Sequence, residues 1–205
     1  MFDKAKLKEI LASGNKIIHY PPAVNVALYE MLMDVTGGVP GVFMEMGIAN
    51  GRTFDVIYQK AIEYSKNVVA LDSFRGMPAP RMPGDKAQPE GKFDTGGSNW
   101  FKSKYQSCNN TGVFVYEGFI PEILKKVNEF AIAFVHIDLD HQLTTKEALE
   151  WAWSRLSDKG IVVCHDFQFT SNVSASMGIK NWMKENDVNY IGYCDASIWF
   201  RKGVK

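Results

Sequence analysis

The stretch MEMGIANGRT, residues 44–53, decides the fold class. An apolar run precedes it and apolar residues at helical spacing follow it, so the stretch is predicted to be a strand-to-helix turn. Gly47 permits a tight turn, and Gly51 lets a ligand approach the backbone where the helix begins. The pattern is E-x-G-x-x-x-G, which differs from the G-x-G-x-x-G of dinucleotide-binding proteins. Glu45 would repel a pyrophosphate, whereas it suits a ligand that carries an ammonium group.

Outward from this turn, predicted strands alternate with predicted helices along the chain. Such alternation predicts an α/β fold, in which a mostly parallel sheet carries helices on both faces. The end of the chain, residues 188–203, reads instead as two strands around a turn at Asp195–Ala196. Two strands without a helix between them form an antiparallel hairpin. The sequence therefore predicts a seven-stranded, mostly parallel sheet with a C-terminal antiparallel hairpin.

Acidic residues stand where the predicted strands end. Ligands of such sheets bind beyond the carboxyl ends of the strands, so these acids are expected to share one site. Asp72 also follows the glycine turn by about 20 residues, the spacing at which an acid binds ribose hydroxyls. The alternative is a turn whose glycines serve geometry alone. The five acids are Glu45, Asp72, Glu117, Asp138 and Asp166.

Composition limits the class of protein. The 205 residues fit one domain, residues 1–205, with an N-terminal helical segment at 1–39. Lys plus Arg and Asp plus Glu both number 23, so a nucleic-acid partner is not expected. No apolar run approaches ~20 residues, so no membrane span is expected either. Three cysteines without a C-x-x-C motif favour a reducing, cytoplasmic setting. A small-molecule substrate and a homo-oligomer both remain compatible.

Residues 75–105, called the lid segment below, are rich in Pro and Gly and read as a long irregular loop. The segment follows Asp72 directly, so it is expected to cover the site. Its aromatic residues would stack on a ring of the ligand or close over the site, or they would only anchor a mobile surface loop. Its cations would meet a phosphate or carboxylate. The aromatic residues are Phe93, Trp100, Phe101 and Tyr105, and the cations are Arg75, Arg81, Lys86 and Lys92.

ALDSFRGMP, residues 70–78, together with the E-x-G-x-x-x-G turn, resembles class I S-adenosylmethionine-dependent methyltransferases. More narrowly, it resembles the macrocin O-methyltransferase family of sugar-modifying enzymes. GFIPEIL at 118–124, HIDLD at 136–140 and the block at 148–167 are also similar to that family. The resemblance spans roughly residues 40 to 167. It implies a Rossmann-like fold and methyl transfer from S-adenosylmethionine to a hydroxyl.

The resemblance also implies which residues bind the cofactor. Those that would line its methionine and ribose part are Glu45, Gly47 and Gly51. Asp72 would bind the ribose diol with Ser73 beside it. Those expected near the adenine are Glu117, Gly118 and Phe119. For Ser73 and Phe119, ordinary loop packing is the alternative.

The family is similar in holding a divalent cation with carboxylates at two strand ends. Asp138 matches the first site. The second site is usually a pair of adjacent acids followed by Tyr, and here it reads His165-Asp166-Phe167. Mg²⁺ prefers oxygen ligands, whereas imidazole suits Mn²⁺, Fe²⁺ or Zn²⁺. Three readings stay open: His165 turns away from a Mg²⁺ site, the metal differs, or no metal binds.

Methyl transfer to a sugar hydroxyl requires a base or a metal that lowers the pKa of that hydroxyl. In HIDLDHQ, residues 136–142, the candidates for the base are Asp140 and His141. Asp140 matches the second acid of the family's D-x-D, and imidazole titrates near working pH. A solvated residue ahead of a helix is the alternative for His141. His136, inside the apolar run, is predicted to be a core histidine with one hydrogen bond.

The predicted function is therefore a metal-assisted, S-adenosylmethionine-dependent O-methyltransferase that acts on a sugar or glycosylated metabolite. One alternative is an O-methyltransferase of a catechol-like hydroxyl, since vicinal oxygens also chelate a metal. A second alternative is an inactive cofactor-binding module, which the substitution at His165 favours. The retention of Asp138, Asp140, His141 and Asp166 argues against that module.

Overall fold

Eight strands form one sheet in the computed structural model of the protein, which describes residues 18–20, 25–108, 110–127, 129–167, 173–194 and 196–203. The strands are β1 (Ile18–Tyr20), β2 (Val42–Met46), β3 (Val68–Asp72), β4 (Val113–Glu117), β5 (Ile132–Ile137), β6 (Leu156–Cys164), β7 (Gly192–Cys194) and β8 (Ser197–Arg201). Their order is β1-β7-β8-β6-β5-β2-β3-β4. All neighbours are parallel except β8, which runs antiparallel to β6 and β7.

The seven predicted strands are confirmed, and β1 is an addition at the edge. It lies in the segment 1–39, which was predicted to be helical. Residues 25–36 of that segment are a helix, but Ile18–Tyr20 pair with β7 and so cover its otherwise open edge. The remainder of the predicted segment before residue 25 lies outside the described residues.

Helices cover both faces of the sheet, as the alternating pattern predicts. The α-helices of the described ranges are α1 (Asn25–Thr36), α2 (Arg52–Glu63), α3 (Asn99–Lys104), α4 (Gln142–Arg155) and α5 (Val173–Asn186). Helices α1 to α3 pack on one face, and α4 and α5 pack on the other. Successive strand residues point to opposite faces, so Phe134 belongs to the first core and Val135 to the second. None of these helices is long and apolar enough to span a membrane.

Two predicted helices are shorter than their sequence patterns. The pattern at 120–130 gives only a 3-10 helix at Glu122–Lys126. The helix expected to end at Gly160 ends at Arg155, because β6 already begins at Leu156 and pairs with β5. In both places, pairing and packing with the sheet override local propensity.

Candidate active site

An open cleft lies at the carboxyl ends of β2 to β5. The predicted site residues that line it are Gly47, Asp72, Ser73, Gly118, Phe119, Asp138 and Asp140. The structure therefore brings the glycine turn, the acid after β3 and two acids after β5 to one place. The predicted site residues that do not line it are Glu45, Gly51, Glu117, His141, His165 and Asp166.

The glycine turn after β2 is held against the end of β5. Gly47 has a φ of 87°, and a Cβ there would lie 1.8 Å from the main-chain oxygen of Asp138. Gly51, with a φ of 78°, is the N-cap residue directly before α2, and a Cβ there would lie 3.0 Å from the hydroxyl of Tyr105. Both positions need glycine, Gly47 because two strand ends approach closely, and Gly51 because the lid segment packs on the helix start.

Asp72 fastens the glycine turn to the end of β3. Its Oδ2 accepts the backbone N–H groups of Ile48 at 2.5 Å and Ala49 at 3.2 Å. Its Oδ1 accepts the N–H of Phe74 at 2.5 Å. An ionised carboxylate accepts about four hydrogen bonds, so Asp72 retains capacity toward the cleft that it lines. The neighbouring Ser73 orders the chain that follows, since its hydroxyl donates to the main-chain oxygen of Gly76 at 2.8 Å.

The turn after β4 is divided between the cleft and the lid segment. Glu117 accepts a hydrogen bond from the hydroxyl of Ser98 and lies 3.7 Å from the ammonium of Lys102. Gly118 and Phe119 line the cleft, and 40% of Phe119 is exposed. Glu117 therefore stabilises the packing of α3, while Phe119 offers an aromatic face to a ligand.

Glu45 and His136 form a buried pair on neighbouring strands. Glu45 Oε1 lies 2.9 Å from His136 Nδ1, and both side chains are almost fully buried. Burial and the charges of Asp138 and Asp72 raise the pKa of Glu45 well above its usual value. Burial lowers the pKa of His136 to about 4. Both residues are thus favoured in their neutral forms, and His136 is the core histidine that the sequence predicts.

Asp138, His165 and Asp166 bring their ligand atoms within 4.8 Å of one another. His165 Nδ1 lies 3.5 Å from Asp138 Oδ1 and 3.0 Å from Asp166 Oδ1, so the imidazole turns toward the acids. Burial alone would lower the pKa of His165, but the two carboxylates raise it to about 11. Burial alone would raise the pKa of Asp138, but the neighbouring His165 outweighs burial and lowers that pKa. Two carboxylates and one imidazole fit a divalent transition ion, whereas Mg²⁺ prefers oxygen ligands.

Asp140 and His141 point to different surroundings. Asp140 has a φ of 58° and lines the cleft, where Gln88 Nε2 donates to its Oδ1 at 3.0 Å. Burial and the charges of Asp138 and Asp166 raise the pKa of Asp140 to about 8. His141 is 0% exposed, and its Nε2 donates to the main-chain oxygen of Gln88 at 2.9 Å. His141 is therefore neither at the cleft nor solvated, because the lid segment covers it.

The lid segment is an ordered cover with a buried anchor. It contains a 3-10 helix at Pro83–Ala87 as well as α3. Asp85, 1% exposed, accepts hydrogen bonds from the hydroxyl of Ser174 and from the N–H of Gln142 at 3.1 Å. These bonds dock the segment on the N-terminal ends of α4 and α5. Sequence reasoning missed Asp85 and Gln88, because nothing in their local pattern distinguishes them from other polar loop residues.

The aromatic residues of the lid segment divide between anchoring and lining. Phe101 and Tyr105 are buried, with ring centroids 4.7 Å and 4.8 Å from that of Phe54 in α2. Phe93 is 47% exposed and lines the cleft. Phe101 and Tyr105 thus anchor the lid segment, whereas Phe93 is available to a ligand.

Comparisons with known proteins bear on the family and the fold. A family model for macrocin-O-methyltransferase (TylF) matches residues 27–202. No curated protein matches the chain. Among solved structures, the O-methyltransferase NovP is 15% identical with a TM-score of 0.71, covering 87% of this chain and 79% of its own. The calicheamicin methyltransferase CalS11 is 19% identical with a TM-score of 0.73, covering 88% of this chain and 79% of its own.

An O-methyltransferase from Bacillus cereus in complex with SAH is 15% identical with a TM-score of 0.57, covering 98% of this chain and 92% of its own. A further structure of CalS11 describes it as a TDP-rhamnose 3'-O-methyltransferase. At these identities the likeness establishes the fold, which is the Rossmann-like methyltransferase fold that the sequence predicts.

Proposed function

The chain belongs to the macrocin-O-methyltransferase family and is a methyltransferase, and from that premise we propose that it transfers a methyl group from S-adenosylmethionine to a hydroxyl of a sugar or glycosylated metabolite. The observation that carries the proposal is the cleft, which has the glycine turn and Asp72 on one side and Asp138 and Asp140 on another. In this proposal the cofactor binds on the first side and the acceptor on the acidic side, so that the two small molecules meet as group transfer requires.

The cofactor would bind along β2, β3 and β4. In this proposal Asp72 accepts from the ribose hydroxyls while it continues to hold Ile48, and Gly118 and Phe119 border the adenine. Gly47 keeps the strand ends close enough to form the floor of the cleft. Glu45 and Gly51 do not line the cleft, and in this proposal they affect it indirectly. Glu45 lies in β2, the strand that leads into the glycine turn, and Gly51 lies at the start of α2. The SAH complex of the Bacillus cereus relative supports this choice of cofactor.

A divalent ion would be held by Asp138, Asp166 and His165, whose donor atoms already converge. Such an ion would supply a Lewis acid that lowers the pKa of the acceptor hydroxyl. For binding, His165 must give up its proton, which the two carboxylates otherwise retain. The same two carboxylates would then neutralise the charge of the metal ion in place of the charge of protonated His165.

Asp140 is the proposed base. It lines the cleft and can accept the proton of the acceptor hydroxyl while oxygen attacks the methyl carbon and the carbon–sulfur bond breaks. S-adenosylhomocysteine then leaves, and the proton stays on Asp140 until solvent removes it. His141, which is buried against Gln88, supports the lid segment in this scheme and does not touch the substrates.

Calorimetric titration with S-adenosylmethionine, S-adenosylhomocysteine and NAD tests the cofactor. We expect the first two to bind and NAD not to bind, and binding of NAD alone would overturn the proposal. Transfer of labelled methyl from S-adenosylmethionine to TDP-rhamnose and to catechol then tests the acceptor class. Label in catechol alone would favour the catechol-like alternative, and cofactor binding without transfer to any hydroxyl compound would favour an inactive module.

A further inference from the structure

Gln88 of the lid segment contacts both neighbours in the Asp140-His141 pair, one through its side chain and one through its main chain. We propose that Gln88 is a positioning residue, which orients the carboxyl group of Asp140 for proton acceptance in the cleft. The proposal rests on the proposed function for the role of Asp140 and adds a residue from a different part of the chain.

The orientation of the Gln88 amide follows from its other partner. The ammonium of Lys92 donates to Gln88 Oε1, and an ammonium group is a donor only. The amide oxygen must therefore face Lys92, and the NH₂ group must face Asp140 Oδ1, 3.0 Å away. Lys92 thus resolves which way the amide points and makes Gln88 a donor to Asp140.

Asp140 lies at a position where a hydrogen-bond donor can restrain its carboxyl group. Its backbone is left-handed, with a φ of 58°, between the end of β5 and the start of α4. Asp140 Oδ1 accepts a hydrogen bond from Gln88, whose own main chain is bound by His141. A hydrogen bond from an amide that is held in this way keeps the plane of the carboxyl group fixed. Small displacements of a reacting group lower rates strongly, so this restraint affects turnover.

The main chain of Gln88 is held without help from its side chain. Its carbonyl oxygen accepts from His141 Nε2 at 2.9 Å, and Asp85, three positions earlier, is bound by Ser174 and Gln142. Replacement of the Gln88 side chain should therefore remove the amide and leave the lid segment docked. This separation lets a substitution test positioning apart from folding.

Gln88→Met removes the amide at nearly constant length, and Gln88→Glu keeps the shape but offers no donor. With TDP-rhamnose as acceptor, we expect both variants to lower kcat on the order of 10-fold to 100-fold, with KM changed less than about twofold. S-adenosylhomocysteine affinity and Tm should not change. Gln106→Met, at an exposed glutamine directly after the lid segment, is the matched control and should behave as wild type. Normal kcat in both Gln88 variants, or a loss confined to KM, would overturn the proposal.

A second measurement does not need an acceptor. The chain has five glutamines, so protein labelled with [¹⁵N]glutamine gives few side-chain amide signals, and the Gln88 signal is the one that Gln88→Met removes. We expect this signal to shift in Asp140→Asn and to stay in place in Gln106→Met. An unmoved signal in folded Asp140→Asn would show that the contact does not exist. Absence of methyl transfer by wild type would instead reject the proposed function, so the two failures are distinguishable.

Discussion

His141 donates from Nε2 to the main-chain oxygen of Gln88 across 2.9 Å, although His141 and Asp140 are adjacent in sequence and only Asp140 lines the cleft. Gln88 of the lid segment thus distinguishes the two candidates for the base, which the sequence alone does not distinguish. The imidazole needs its Nε2 proton to keep this bond, because a carbonyl oxygen can only accept. The geometry therefore favours Asp140 for proton acceptance and His141 for support of the lid segment.

Asp140→Asn is expected to lower turnover by about 10²-fold to 10⁴-fold, the usual contribution of a positioned base. Raising pH should recover part of this loss, since more acceptor alkoxide then forms unaided. His141→Ala should instead lower the free energy of unfolding by about 1–3 kcal/mol, because the Gln88 carbonyl loses its donor. Single-turnover methyl transfer and urea unfolding measure the two effects. If His141→Ala shows the pH-recoverable loss and Asp140→Asn does not, their assignments are exchanged.

Asp72→Ala is expected to weaken S-adenosylhomocysteine binding by about 1.5–3 kcal/mol, because it removes a charge-assisted contact to the ribose and loosens the turn at Ile48. Calorimetric titration measures this change. Asp94→Ala is the control, since Asp94 lies in the lid segment, its side chain accepts the nearby N–H of Gly96, and it does not line the cleft. Equal affinity in wild type and Asp72→Ala would reject the ribose assignment.

Removal of the metal is expected to lower turnover, and a divalent ion should restore it. Mn²⁺ binding, followed by electron paramagnetic resonance, should weaken in Asp138→Asn because a charged ligand becomes neutral. His165→Asp should shift preference toward Mg²⁺, because the site then offers three carboxylates. Asp94→Ala again serves as control and should bind Mn²⁺ as wild type does. Full turnover in excess chelator would show that no metal takes part.

The sequence predicts the parts of this molecule that depend on local pattern. The strands that carry Glu45 and Asp72, and the strand that ends just before Asp138, are predicted because their apolar runs end at a turn. Strand β1 was missed because three residues are too short to show a period. The burial of His141 was missed because its cover, Gln88, lies in a segment distant in sequence. Contacts of this kind arise from tertiary packing, which no local pattern encodes.

Gly47→Ala is expected to destabilise the fold far more than Gly91→Ala. Both glycines are left-handed, with φ of 87° and 77°, so both substitutions cost about 1–2 kcal/mol of backbone strain. A Cβ at Gly91 meets no atom within 4 Å, whereas one at Gly47 would lie 1.8 Å from the main-chain oxygen of Asp138. The total loss for Gly47→Ala should exceed about 3 kcal/mol.

Urea unfolding of both variants measures the effect of the clash, because the backbone strain is common to both and cancels in the difference between their free energies of unfolding. The same clash displaces the main chain of Asp138, so Mn²⁺ binding should also weaken in Gly47→Ala and not in Gly91→Ala. Equal destabilisation by the two substitutions would contradict the close approach of the turn to the end of β5.

Asp85 should make the stability of the docked lid segment depend on pH. Burial raises the pKa of Asp85, but hydrogen bonds from Ser174, Gln142 and Met82 outweigh burial and lower it below its usual value. His141, with Nδ1 4.0 Å from Asp85 Oδ2, and the charge of Arg81 also face this carboxylate. A depressed pKa in the folded state means that Asp85 stabilises the fold above its unfolded value of about 3.9. This contribution is lost as pH falls through the lower folded value.

Asp85→Asn keeps the size of the side chain and replaces one acceptor oxygen with a donor. At pH 7 we expect the free energy of unfolding to fall by about 1–3 kcal/mol, because buried donors of Ser174 and Gln142 lose an acceptor. The difference from wild type should shrink below about pH 4, where Asp85 of the unfolded wild type takes up a proton, and should go on shrinking until pH reaches the lower folded pKa. Urea unfolding between pH 7 and pH 3 measures the difference, and cleavage of the lid segment by a protease at pH 7 should be faster in the variant. Asp94→Asn, at an exposed acid of the same segment, should show neither effect. A difference between Asp85→Asn and wild type that stays constant down to pH 3 would mean that the charge of Asp85 does not anchor the lid segment.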